Sequence, residues 1–136
     1  MKKLLLIAAL LIATITAVGQ ESTIVKSTSF KLAEFNINAT DPIIWKNDDS
    51  KIVIDTKKGE ETFTIYKTNI KLKYKVIDIY KIQVKNGIEE VWYNGTDSNN
   101  NECKVIIQFL NSDTIAVGVI YNDGLAYKYI AKLDSI

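Results

Sequence analysis

Apolar and polar residues alternate along most of the chain from Ile24 onward. Alternate residues of a strand point to opposite faces, so this period of two marks half-buried β-strands, and no segment sustains a helical period. The pattern predicts strands over 22–32, 51–56, 62–67, 70–84, 87–94, 103–110, 114–121 and 125–133, with a weaker one over 43–46. Turn chemistry separates them: 57–60 (KKGE), Asn86-Gly87, 111–113 (NSD) and 122–124 (NDG). Asn-Gly is the strongest of these signals, because both residues tolerate positive φ. Connections this short make sequential strands antiparallel neighbours. Eight or nine such strands in one small domain need a closed barrel or two packed sheets. The expected fold is therefore all-β, an antiparallel meander forming a barrel or a curled sandwich. The single Pro, Pro42, falls in the least regular stretch, 33–44, where a crossover or a short helical turn is expected.

The later strands also predict their faces. Cys103, Val105, Ile107 and Phe109 form one inward row, and Ile115, Val117, Val119 and Tyr121 the next. Leu125, Tyr127, Tyr129, Ala131 and Leu133 continue it. Gly118, in mid-strand, predicts a bulge or an aromatic ring lying over the backbone.

The N-terminus reads differently. Lys2 and Lys3 precede the apolar run 4–18, which is too short for the bilayer core and ends in small residues. That order is a secretory signal peptide, predicted over 1–19 and followed by one domain over 20–136. The expected location is exported, periplasmic or extracellular, with no membrane span after signal removal. Losing both lysines takes the side-chain balance from one positive to one negative charge. Nothing in that balance calls for a polyanion.

Composition narrows the chemistry. The 136 residues contain no His and one Cys, and all 17 basic residues are lysines. A Ser-His-Asp or Cys-His nucleophile and an imidazole zinc site are thereby excluded. Lacking arginine, the chain has no bidentate fork for phosphate or guanine, so nucleic acid is not an expected partner. No metal or cofactor is expected. Cys103 reads as a small core residue.

The strands 51–56 (KIVIDT), 62–67 (TFTIYK) and 76–80 (VIDIY), with 103–107 (CKVII) and 120–129 (IYNDGLAYKY), resemble small uncharacterised exported β proteins common in Bacteroidetes. The resemblance covers about residues 50–130 and implies export and an all-β domain. It implies no activity.

Several residues are candidates for a site. Along 70–84 the even positions are apolar except Asp78. If the strand runs straight, Asp78 faces the interior and can hold a ligand's polar group; its burial then demands a partner. If the strand bulges near Ile77, Asp78 turns to solvent, and Ile77 and Ile79 turn in. Tyr74, Trp92, Tyr127 and Tyr129 present apolar bodies with polar tips, suited to an amphipathic ligand or simply to core packing. Lys71, Lys73 and Lys75 form a basic ladder, either a solvated face or an attractor for an anionic surface. The segment 97–102 imitates the start of a calcium loop but has Glu102 where such a loop needs Gly. The adjacent pairs Glu60-Glu61 and Glu89-Glu90 point to opposite faces, so neither pair converges on one substrate. The expectation is a non-catalytic exported β domain binding a small amphipathic ligand or a protein partner, with Asp78, Tyr74, Trp92, Tyr127 and Tyr129 as candidate ligand contacts. The alternative is a structural or inhibitory envelope protein without an internal site.

Overall fold

The computed structural model describes residues 24–57 and 60–134; the predicted signal peptide, 1–19, lies outside the described residues. Nine strands follow in order: β1 (Ile24–Asn36), β2 (Lys46–Asn47), β3 (Lys51–Asp55), β4 (Thr62–Tyr66), β5 (Lys71–Lys85), β6 (Ile88–Thr96), β7 (Glu102–Phe109), β8 (Thr114–Tyr121) and β9 (Leu125–Leu133). Every pairing is antiparallel, and β3 to β8 each pair with the next strand in sequence. Strand β1 pairs with both β3 and β9, which closes eight strands into a barrel. The sandwich alternative is thereby set aside. Strand β2 is a two-residue addition to β1 beyond the point where β3 leaves it.

The stretch 33–44 forms neither a crossover nor a helical turn. Instead β1 runs on to Asn36, whose carbonyl accepts from the Ala39 amide and whose side chain accepts from the Asn38 amide. Asn86 and Gly87, at φ of 54° and 78°, make the predicted hairpin turn between β5 and β6.

The inward rows of β7, β8 and β9 are those the alternation predicts. Val105, Ile107, Ile115, Val117, Val119 and Ala131 are sealed from solvent, joined by Ile52, Ile54, Phe63, Ile65, Val91 and Tyr93 from the other strands. Each large apolar side chain buried this way contributes about 1.5–3 kcal/mol relative to exposure. Gly118 departs from expectation. The register across β7, β8 and β9 is unbroken there, and its nearest neighbours are the Tyr127 carbonyl and Ile106 Cβ at ordinary contact distances. It marks neither a bulge nor an overlying ring.

The register of β5 against β6 slips twice, at Ile77 and at Tyr80. Each slip adds one residue and exchanges the faces of the strand. Tyr74 and Val76 face in, Ile79 faces in after the first slip, and Asp78 faces out opposite Asn94. Ile77, as the extra residue, is itself 60% exposed, which corrects the expectation that a bulge would bury it. The lysine ladder lies on the solvated outer face, with Lys71, Lys73 and Lys75 opposite Tyr66, Thr64 and Thr62.

Asp78 accepts a hydrogen bond from Asn94 Nδ2 at 2.6 Å and remains exposed. Asp78→Leu is therefore expected to change unfolding free energy by under about 0.5 kcal/mol, as surface substitutions do. A urea melt beside wild type measures it; a change of 2 kcal/mol or more, on the order seen at core sites, would contradict the outward placement.

Candidate functional site at the barrel mouth

The β4–β5, β6–β7 and β8–β9 connections gather at one end of the barrel with the C-terminal end of β1. At this end β1 separates from β3: the two pair only over Ile24–Thr28, after which β2 takes that edge. A register slip at Phe30 re-aims β1, so that Leu32 and Glu34 come opposite Tyr129 and Tyr127. The result is a mouth with a pocket of about 800 Å³. Its apolar lining comes from Leu32, Ile70, Leu72 and Leu125 and its aromatic walls from Tyr74, Tyr121, Tyr127 and Tyr129. Glu34, Lys67, Asp97, Glu102 and Asp123 add charges.

Tyr74 and Tyr129 are buried, while Tyr121 and Tyr127 are half-buried. Burial raises all four hydroxyls above the ordinary tyrosine range. A hydrogen bond with Tyr121 partly offsets the rise at Tyr74, and the charge of Glu34 adds to it at Tyr127. At Tyr121, Tyr74 and the Asp97 carboxylate add to it. The four rings are therefore neutral at physiological pH, with the Tyr121 hydroxyl already donating its hydrogen bond to Asp97. The Lys67 ammonium stands 5.0 Å from the centroid of the Tyr129 ring.

Asp97 builds the loop beside the mouth. Its Oδ1 accepts from the Asn99 and Asn101 amides, both at 2.9 Å, and its Oδ2 from Asn101 Nδ2 and the Tyr121 hydroxyl. Slight desolvation acts to raise its pKa, but these donors outweigh it and hold the carboxyl below its ordinary value. The carboxylate that resembles the first residue of a calcium loop thus organises its own turn. Among the described residues, no group of three or more His, Cys, Asp or Glu side chains is placed to share a metal ion. Cys103 is buried in the core, and burial pushes its thiol up to about 11, so the reactive thiolate is scarce at neutral pH.

Of the residues singled out from sequence, Tyr74, Tyr127 and Tyr129 converge on this pocket. Asp78 and Trp92 do not, because both lie on the outer wall in the rows of Asn94 and Ile106. Trp92 Nε1 donates to Glu90 Oε1 at 3.2 Å, and the Lys81 ammonium covers its ring at 4.2 Å. Glu90, 4% exposed, also accepts from the amides of Gln83 and Gln108. Desolvation acts to raise its pKa, but the Gln83, Gln108 and Trp92 donors win and lower it. Trp92 is thus a clamp on a polar cluster of the outer wall. The candidate ligand contacts expected from sequence do not include Tyr121, Lys67 and Asp97, which also line the pocket. Tyr121 is legible as the inward tyrosine just before the 122–124 turn; Lys67 closes the predicted strand 62–67 but lies just past β4, and Asp97 lies in a loop with no periodic signal.

Among the described residues no helix is long and apolar enough to cross a membrane. No protein-family model matches the chain, and neither curated proteins nor solved structures provide a match.

Proposed function

We propose that this protein is an exported, non-catalytic barrel that takes a small amphipathic ligand into its mouth. The carrying observation is the pocket itself. Its volume of about 800 Å³ lies within the roughly 300–1,000 Å³ usual for ligand sites, and its lining is mainly apolar with a few convergent polar groups. The apolar part of a ligand fits against Leu32, Leu72 and Leu125, while its polar end meets the tyrosine hydroxyls. A second reading, an envelope interaction protein, draws on the exposed run Ile77, Tyr80, Ile82 and Val84 along β5. The slips at Ile77 and Tyr80 weaken that reading, since bulges blunt a strand edge against pairing.

The neutral dye Nile red tests the proposal. Its emission is expected to shift to the blue and strengthen on binding in one-to-one ratio. Leu125→Trp, which adds bulk at the half-buried wall of the mouth, is expected to weaken dye affinity by about tenfold or more, the loss that blocking an apolar pocket should bring. Circular dichroism checks that the variant is folded. No blue shift with wild type, or equal affinity in folded Leu125→Trp, would contradict the proposal.

A further inference from the structure

The charge of the mouth is lopsided. Glu34, Asp97, Glu102 and Asp123 face the pocket as carboxylates, against the single ammonium of Lys67 among its described lining residues. Lys67 enters no ion pair with any of them among the described residues. Instead its ammonium is over the face of Tyr129, one of the four tyrosines that wall the pocket. Tyrosine faces carry negative potential and attract cations, most strongly where water is displaced. The chain's own lysine therefore shows a cation seated on this aromatic wall. A concave site lined by charge of one sign also focuses its field inward.

From this juxtaposition we infer that the mouth selects amphipathic amines: ligands with an ammonium head and an apolar tail. The inference rests on the mouth being a ligand site, as proposed above. The head sits among the tyrosine faces and the surrounding carboxylates, with the tail directed toward Leu32 and Leu72. A carboxylate head would have Lys67 alone for a counter-charge and would meet four like charges.

The test compares three ten-carbon amphiphiles below their micelle concentrations: decyltrimethylammonium, decanol and decanoate, each displacing Nile red. Decyltrimethylammonium is expected to bind about tenfold or more tightly than decanol, with decanoate weakest. Asp97 and Asp123 hold their own turns, so the charge-removing variant is Glu34→Gln with Glu102→Gln. It should narrow the preference for decyltrimethylammonium over decanol by about threefold or more. Lys67→Ala uncovers the Tyr129 face and should strengthen binding of the cation. Decanoate binding best, and being lost in Lys67→Ala, would overturn the inference. So would decanol matching the cation, an outcome that leaves the mouth a ligand site without this selectivity. Nile red left in place by all three would overturn the inference alone, whereas failure of Nile red itself to bind would overturn the ligand site and the inference with it.

Discussion

Phe63→Ala is expected to cost the barrel about 3–5 kcal/mol, the range for deleting a buried phenyl group from a tightly packed core. Phe63, the second residue of β4, is fully buried, opposite Ile54 on one side and Tyr74 on the other. Its ring centroid is 5.5 Å from that of Tyr93, with the planes tilted by 48°. Its neighbours belong to strands tied into a closed barrel, which limits how far they can collapse into the vacated space. Domains of this kind are stable by about 5–15 kcal/mol, so this one change should consume a large part of the total. Urea unfolding should show a lower midpoint with the same slope, the sign of lost stability without a change in surface exposed. A cost under about 1 kcal/mol would place the packed core elsewhere.

Gly95→Ala is expected to destabilise by about 1–3 kcal/mol, the usual cost of forcing an atom into filled space. Gly95 faces inward opposite Val76, beside the first register slip of β5. A Cβ there would lie 2.7 Å from the Lys75 carbonyl oxygen, and that obstacle is main chain, which cannot rotate aside. The matched control is Gly118→Ala, whose added Cβ would meet its nearest atom at 3.8 Å. It should stay within about 0.5 kcal/mol of wild type. Equal melts for the two variants would contradict the close approach of β5 to β6.

The contrast between these glycines shows what alternation can and cannot record. Gly118 stands out in a sequence because it interrupts a strand, yet its surroundings ask little of it. Gly95 is constrained by the carbonyl of a strand twenty residues earlier, and no local pattern carries that fact. Strands β7, β8 and β9 were legible residue by residue, because each is regular and buries one unbroken row. Strand β5 was legible as a strand, but its two slips exchange its faces twice and leave the extra residues Ile77 and Tyr80 in solvent. Strand β1 hides its inward face behind Ser27 and Ser29, both buried, so its long pairing with β9, which closes the barrel, had no apolar signature. At the mouth, the inward tyrosines were readable and the charges around them were not, since Lys67 and Asp97 are set by the loops that carry them.

An amide-resolved NMR titration with decyltrimethylammonium, below its micelle concentration, locates binding directly. Shift changes should concentrate at Leu32, Glu34, Lys67, Leu72, Tyr121, Leu125 and Tyr127, which line the mouth. The amides of Ile54, Phe63, Ile107 and Ile115, in the filled core, should stay nearly still. Changes confined to the exposed β5 edge at Ile77, Tyr80, Ile82 and Val84, with the mouth unmoved, would contradict a ligand-binding mouth and favour the interaction surface instead.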